Sequence, residues 1–87
     1  GHDCELRYFR DLEGREVDFV QLQDGQPVRL LECKLNDTDI SPALLYLSRK
    51  FPGVAALQVI AKSGIDRVAQ AGVRLVSADR FLAELAV

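Results

Sequence analysis

The chain has 87 residues, of which 48% are hydrophobic and 28% are charged, and its formal net charge is −2. This length allows one small domain with a thin core, and the composition excludes intrinsic disorder, which requires low hydrophobicity and high net charge. The slight acidity excludes a uniformly basic surface but is compatible with a local basic patch. No apolar run reaches the ~18–20 residues needed to span a bilayer, so no membrane partner is expected.

Cysteine usage and the N-terminal residues indicate a cytoplasmic protein. The two cysteines, Cys4 and Cys33, are too few for a disulfide framework and lack the paired spacing of a zinc site. Two reduced thiols and a polar N-terminal segment without signal-peptide character predict a cytoplasmic location. The opening Gly1-His2 pair is interpreted as an expression scar and is left out of the chemistry.

The N-terminal part of the chain predicts a three-stranded antiparallel meander. Strands are predicted over 5–10, 15–22 and 27–35. The segments between them, 11–14 and 23–25, contain the Asp and Gly residues that are typical of tight turns.

A helix and a parallel strand are predicted after the meander. Ser41 is a good N-cap, and Pro42 occupies the first helical position, where its missing N–H costs nothing. Residues 54–60 are apolar at almost every position, which indicates a strand covered on both faces with a parallel neighbour. The third strand, the helix and this strand therefore form a right-handed βαβ crossover. The apolar stripe of the helix consists of Leu44, Leu45, Leu47 and Phe51.

The C-terminal part predicts two helices around one strand. A short helix is predicted over 64–71, ending at Gly72, and a strand over 73–76. Ser77 is predicted to cap the last helix. The element order describes one mixed α/β domain over 1–87. The last helix is predicted to face the core with Phe81, Leu82 and Leu85.

The hairpin between the second and third strands decides which side chains share a face. A three-residue turn over 23–25, with Gly25 left-handed, makes the numbers of facing residues add to an even number. A two-residue turn at Asp24 and Gly25 would instead mix apolar and charged residues on both faces, and a one-residue slip is unfavourable when a face is buried. In the favoured even register Cys33 lies on the apolar face and is interpreted as a core residue. The other face carries Asp18, Glu32 and Lys34.

The first hairpin offers a structural alternative for one of these charges. A turn over 11–14 would make Leu6 face Phe19 and Arg7 face Asp18. Asp18 could then serve in a cross-strand ion pair with Arg7, which contributes little to stability at a surface. The corresponding alternative for the other two charges is an exposed strand of mixed charge.

The three charged residues also have the composition of a metal-dependent hydrolytic site. Two neighbouring carboxylates resist ionisation beside each other, and a divalent cation such as Mg²⁺, which prefers oxygen ligands, removes that penalty. Such a cation can polarise a phosphate, and a lysine beside it can orient or deprotonate a water molecule. Asp18, Glu32 and Lys34 therefore have the parts for phosphodiester hydrolysis assisted by Mg²⁺, with Mn²⁺ as a possible substitute metal.

The same residues carry a resemblance to a known superfamily. Asp18 followed by Glu32-Cys33-Lys34 resembles the PD-(D/E)XK signature of the restriction-endonuclease-like nucleases. A wider similarity, to a C-terminal domain of unknown function that follows a P-loop ATPase module in bacterial and archaeal proteins, covers nearly the whole chain. The segments that carry it are 8–20, 28–35, 41–53 and 72–85.

The resemblance implies a site, a fold and partners. It implies that Asp18 and Glu32 bind the metal, that the main-chain carbonyl of Cys33 is a third ligand, and that Lys34 is the catalytic lysine. It also implies a restriction-endonuclease-like core, DNA as a partner and an ATPase module in the same polypeptide. The sequence begins at the predicted first strand, so the helix that usually precedes it in that fold is absent or lies upstream of this fragment, and Glu5 is at most a partial substitute for the acidic residue that the helix often carries. Residues 62–64 do not form a P-loop.

Two further functions fit the same sequence. One is a non-catalytic interaction domain that regulates or targets its ATPase. The other is a homo-oligomer that forms through an uncovered sheet edge. Among the remaining polar residues, Gln58 is interpreted as a satisfied core or edge residue, although it could contact the site. Arg49 and Lys50 can either contact nucleic-acid phosphates or complement the helix dipole.

Overall fold

The computed structural model describes residues 4–10, 16–36 and 38–85. Six strands and two α-helices confirm the mixed α/β class, and a 3₁₀ turn over Gln70–Gly72 precedes the last strand. No helix in the described part is long and apolar enough to cross a membrane. The elements are β1 (Cys4–Arg10), β2 (Glu16–Gln23), β3 (Gln26–Lys34), α1 (Pro42–Lys50), β4 (Ala55–Ile60), β5 (Asp66–Val68), β6 (Arg74–Ser77) and α2 (Ala78–Leu85).

The strands form one mixed sheet in the order β1-β2-β3-β4-β6-β5. The pairs β1–β2 and β2–β3 are antiparallel, which confirms the meander. The pair β3–β4 is parallel and is connected through α1, which confirms the βαβ crossover. The pair β4–β6 is also parallel, and β5 adds an antiparallel edge strand to β6.

The even register of the β2–β3 hairpin is confirmed, but the turn differs from the one predicted. Asp24 and Gly25 both have positive φ, 53° and 80°, which is the geometry of a two-residue hairpin turn. A bulge at Val28 then adds one residue to β3 and shifts the pairing. As a result Val20 faces Leu30 and the paired numbers add to an even number, as predicted, although a turn over 23–25 would have placed Val20 opposite Val28.

The predicted register of the β1–β2 hairpin is wrong. Arg7 pairs with Val20 rather than with Asp18, and its guanidinium donates to the carboxylate of Glu5 at 2.9 Å. The pairing shifts between Arg7 and Phe9, so that two residues of β2 stand opposite one residue of β1. Such a bulge leaves no trace in the apolar pattern of the sequence. The predicted turn over 11–14 lies outside the described residues.

Helix α1 begins where the sequence predicts. The hydroxyl of Ser41 accepts a hydrogen bond from the backbone N–H of Leu44 at 3.3 Å, and Pro42 is the first helical residue. Leu44 and Leu47 are fully buried, while Leu45 and Phe51 pack at the edge of the same cluster. The predicted apolar stripe is therefore confirmed.

The core consists of two layers, one on each face of the sheet. Helix α1 packs on one face against β2, β3 and β4, and α2 packs on the other face against β4 and β6. The buried members of the α1 layer are Val20, Leu30, Leu44, Leu47, Ala56 and Val73. The buried members of the α2 layer are Leu31, Leu57, Val59 and Val76, with Phe81 packed against them.

The helix predicted over 64–71 is wrong. Residues Asp66–Val68 form β5, and the chain turns back through Ala71 and Gly72, which both have positive φ. The backbone N–H of Ala69 donates to the carbonyl of Val73 at 2.7 Å and closes the connection to β6. Pairing with β6 satisfies the backbone groups of this segment and outweighs its weak local preference for helix.

The last helix begins directly after Ser77 as predicted, but one of its predicted core residues is wrong. Ser77 ends β6 and directly precedes α2, and its hydroxyl accepts the backbone N–H of Ile65 at 2.8 Å. Leu82 is 62% exposed and does not face the core. Phe81 does pack on the core as predicted, whereas the side chain of Leu85 lies outside the described part.

Candidate functional site

Two of the predicted site residues lie at the carboxyl end of β3. Glu32 pairs with Gln58 of β4, and Lys34 pairs with Ile60. Glu32 and Lys34 alternate with Cys33 and therefore share the face that Leu30 presents to α1. In an open α/β sheet the carboxyl ends of parallel strands are the usual place for a ligand.

Glu32 is a buried carboxylate with an incomplete set of partners. The residue is 8% exposed, and its Oε1 atom lies 3.7 Å from the ammonium nitrogen of Lys34. Its Oε2 atom is buried and has no hydrogen-bond partner among the described residues. Burying an ionised carboxylate without hydrogen bonds is unfavourable, and an unsatisfied buried oxygen often marks a functional position or the place of an unseen water or ion.

Lys34 is positioned beside Glu32 without being sequestered by it. Its side chain is 39% exposed, and the 3.7 Å separation is too long for a hydrogen bond. The ammonium group is thus held near Glu32 by charge, and its N–H donors can still reach solvent or a ligand. The pair places a carboxylate and an ammonium group at the carboxyl end of β3, as the spacing Glu-X-Lys predicts.

The backbone places Asp18 near Glu32, but the side chain of Asp18 lies outside the described part. Asp18 directly precedes Phe19, and Glu32 directly follows Leu31. Because Phe19 and Leu31 are paired, both acidic positions come to the same end of the β2–β3 ladder. The bulge between β1 and β2 falls at this point, and bulges next to a site can redirect a side chain.

The interpretation of Cys33 as a core residue is wrong, because the residue is exposed. Cys33 lies on the face covered by α2, but that helix packs mainly against β4 and β6 and leaves the end of β3 accessible. Leu31, two residues earlier on the same face, is buried. The burial of this face therefore ends between Leu31 and Cys33.

Gln58 stabilises the loop next to the candidate site. Its side chain is fully buried; the amide oxygen accepts the backbone N–H of Ser41, and the amide nitrogen donates to the carbonyl of Asp39, both at 2.9 Å. The interpretation of Gln58 as a satisfied core residue is confirmed. These two bonds hold the segment that enters α1 against β4, in the row next to Glu32.

A second charged cluster, which the sequence analysis missed, joins β5, β6 and α2. Arg74 donates to the carboxylates of Asp66 and Glu84 at 2.6–3.0 Å, and Arg80 lies 2.9 Å from Asp66. Hydrogen bonding to Arg74 holds the pKa of Asp66 and that of Glu84 below their usual values, and it raises the pKa of Arg74. The cluster was missed because a helix was predicted where β5 lies.

The basic residues at the end of α1 include one with an aromatic environment. The ammonium nitrogen of Lys50 lies 5.8 Å from the ring centres of both Tyr46 and Phe51, within the range of cation–π attraction. Arg49 and Lys50 both lie in the last helical turn, where a positive charge complements the helix dipole.

Neither a metal cluster nor a relative identifies the site. Within the described part, no group of three or more His, Cys, Asp or Glu side chains could hold a metal ion. Comparison with protein-family models, curated proteins and solved structures gives no significant match.

Proposed function

We propose that this chain is a PD-(D/E)XK nuclease-like domain that acts on the phosphodiester bonds of DNA with the help of Mg²⁺ or Mn²⁺. The observation that carries the proposal is the environment of Glu32. This carboxylate is buried, one of its oxygens has no described partner, and the ammonium group of Lys34 lies 3.7 Å from the other oxygen. An attached ATPase module belongs to the same proposal.

The order of elements supports the proposal. The nuclease core that the sequence resembles contains an antiparallel meander, a helix and a parallel strand, and β1–β3, α1 and β4 follow that order. The acidic residues of the signature occupy two adjacent strands of this meander. The fold alone supports no particular chemistry, so the proposal depends on the side chains at the end of β3.

The available ligands fit a hard divalent cation. Glu32 and Asp18 would hold the ion with carboxylate oxygens, and the main-chain carbonyl of Cys33 would supply a third oxygen, a set suited to Mg²⁺ or Mn²⁺. The unpartnered Oε2 atom of Glu32 is the specific sign of this fit. When bound, the cation would supply Lewis-acid activation of the phosphate and of a water molecule.

Lys34 would orient the attacking water molecule and stabilise negative charge during the reaction. Its ammonium group can orient a water molecule through its N–H donors, and it can stabilise the negative charge that develops on the phosphate oxygens. Glu32 contributes by keeping that ammonium group at the carboxyl end of β3. Partial exposure of Lys34 leaves room for a substrate phosphate to approach.

Calorimetric titration of Mg²⁺ and of Mn²⁺ into the protein tests the site. Saturable binding is expected in the wild type and in Asp79→Asn, a control that removes an exposed carboxylate from α2 and keeps an oxygen for the backbone N–H of Arg80. Glu32→Gln and Asp18→Asn should each weaken binding by about tenfold or more, since loss of one ligand contact is worth at least ~1.4 kcal/mol. Lys34→Gln should retain metal binding and slow cleavage of duplex DNA by about 100-fold.

A folded wild-type protein that binds neither metal would contradict the proposal. Equal metal affinity in the wild type and in Glu32→Gln would contradict it as well. Circular dichroism of each variant establishes that the fold is intact, so that lost binding can be attributed to the site.

A non-catalytic interaction domain is the second candidate, and the edge of the sheet favours it. The strand β1 is seven residues long and lies at one end of the strand order, with no further strand on its outer side in the described part. An exposed edge of this kind can pair with another chain. Such a domain would regulate its ATPase, or form a homo-oligomer, without metal.

A further inference from the structure

A row of paired residues leads from the candidate site across the sheet to Arg67. Glu32 pairs with Gln58, Gln58 pairs with Leu75, and Leu75 pairs with Arg67. Paired residues on neighbouring strands point to the same face, and neighbouring strands are ~4.8 Å apart. The backbone of Arg67 therefore lies about 14 Å from that of Glu32 on the same face of the sheet.

Arg67 lines an open groove next to the segment that enters α1. The groove has a volume of about 450 Å³ and is lined by Thr38, Asp39, Ile40, Arg67, Ala69 and Gln70. Gln58, which lies in the same row as Glu32 and Arg67, fixes one wall through its hydrogen bonds to Asp39 and Ser41. Gln58 therefore connects the groove to the candidate site, because it also pairs with Glu32.

A second cation, Lys62, follows β4, which lies between β3 and β6 in the sheet. Lys62 is exposed and follows β4 directly after Ala61. The backbone N–H of Ala61 donates to the carbonyls of Lys34 and Leu35, at 3.3 and 2.9 Å. This bond places the segment of Lys62 against the end of β3, beside the candidate site.

Arg67 and Lys62 form no ion pair within the described part of the molecule. Neither side chain has an ion pair or a hydrogen bond with a described residue, whereas Arg7, Arg74 and Arg80 all do. Lys34, Lys62 and Arg67 share this part of the surface with the carboxylates of Glu32 and Asp39. A cation without an ion-pair partner beside an open groove can bind an anionic partner.

We propose that Lys62 and Arg67 bind backbone phosphates of the DNA whose cleavage is assigned to Glu32 and Lys34, an inference that rests on the proposed function. The distance of ~14 Å between Glu32 and Arg67 corresponds to about four phosphates of one strand along the duplex axis. Arg67 would bind a phosphate distant from the scissile bond, and Lys62 one between. The carboxylate of Asp39 also lines the groove and would oppose phosphate binding.

Salt-dependent DNA binding in the presence of EDTA tests this phosphate track, which consists of Lys62 and Arg67. Fluorescence anisotropy with a duplex of about 20 base pairs, between about 50 and 200 mM salt, gives the affinity and its salt slope. Arg67→Gln and Lys62→Gln should each weaken binding severalfold and reduce the slope by about 1, because each removes one phosphate contact. Asp39→Asn should strengthen binding. Arg7→Gln removes an exposed cation from β1, at the other end of the strand order, and should bind like the wild type.

The outcomes separate the track from the metal site. The track is overturned if the wild type does not bind the duplex, if Arg67→Gln and Lys62→Gln bind like the wild type, or if Arg7→Gln weakens binding as much as they do. EDTA removes divalent cations from this assay, so the track can fail while calorimetry still shows metal bound by Glu32. The reverse result, DNA binding with the expected slopes but no metal binding, would sustain the track and contradict the nuclease.

Discussion

Burial of Glu32 leaves its Oε2 atom without a hydrogen-bond donor in the described part of the chain, and this has a consequence for stability. Replacing a buried charged group by an apolar side chain of similar size is often neutral or stabilising. Lys34, the one described ion-pair partner of Glu32, is 39% exposed and stays solvated when Glu32 is replaced. A residue retained for function is expected to lower stability at its own position.

The variant Glu32→Met should therefore unfold with a free energy equal to that of the wild type or about 1–2 kcal/mol higher in EDTA. Urea denaturation at neutral pH measures the difference. Adding Mg²⁺ should stabilise the wild type by mass action and leave Glu32→Met unchanged. A loss of more than ~1 kcal/mol in EDTA would instead identify Glu32 as a structural residue.

At the scale of elements, the cluster around Arg74 connects β5 and α2 to β6 through hydrogen bonds and ion pairs. Arg74 lies on β6 and bonds Asp66 of β5 and Glu84 of α2. β5 has only three residues, and α2 contributes Phe81 and Ala78 to the apolar layer. Ion pairs at a partly exposed surface contribute little singly, but this guanidinium joins two elements that have few other contacts.

The cluster should make stability depend on pH in the acid range. The pKa values of Asp66 and Glu84 are lowered in the folded state from ordinary values of 3.8 and 4.5. Their contribution is therefore complete above the unfolded-state values and is lost as the pH falls through the lowered ones. Arg74→Gln should lower Tm at neutral pH, and its difference from the wild type should shrink below pH 4.5.

Thermal unfolding followed by circular dichroism at a series of pH values measures this effect. Arg67→Gln is the matched control, because Arg67 lies on the neighbouring strand β5 and has no ion pair in the described part. A Tm difference for Arg74→Gln that stays constant to well below pH 3.8 would show that the carboxylates of Asp66 and Glu84 do not depend on this arginine.

The parts of the fold that could be predicted are those with a strong local signal. Ser41 and Pro42 mark the start of α1 through an N-cap and a missing N–H, and the apolar run of β4 indicates its parallel, two-sided burial. The short strand β5 has no such signal, because three residues show no periodicity and its stability comes from pairing with β6. Leu82 was misplaced for a related reason, since α2 covers only part of one face.

The residues of the candidate site could be predicted from the sequence, but the exact strand pairing that brings them together could not. Glu-X-Lys on one strand places Glu32 and Lys34 on the same face in any sheet. Their proximity to Asp18 depends on how β1, β2 and β3 align, and this alignment depends on bulges at Val28 and in β2. Bulges insert a residue without changing composition or turn chemistry, so the sequence contains no local sign of them.

On the scale of the whole molecule, the two ends of the sheet present different edges. The edge strand β5 is short, and its Asp66 forms an ion pair with Arg74 of β6. The edge strand β1 is longer, and its Glu5 and Arg7 form an ion pair with both side chains exposed. Short strands and charged side chains at an edge oppose pairing with a second chain.

We therefore expect a monomer in sedimentation-velocity experiments between about 10 and 200 µM, a range in which an edge-paired dimer of moderate affinity would be populated. The sedimentation coefficient should not change with concentration or with Mg²⁺. A concentration-dependent dimer would favour the interaction-domain candidate. Comparing the wild type with Glu5→Gln/Arg7→Gln then tests the edge, because removing the charges of β1 should strengthen a dimer that forms there. A dimer of unchanged affinity in this double variant would have to form elsewhere on the molecule.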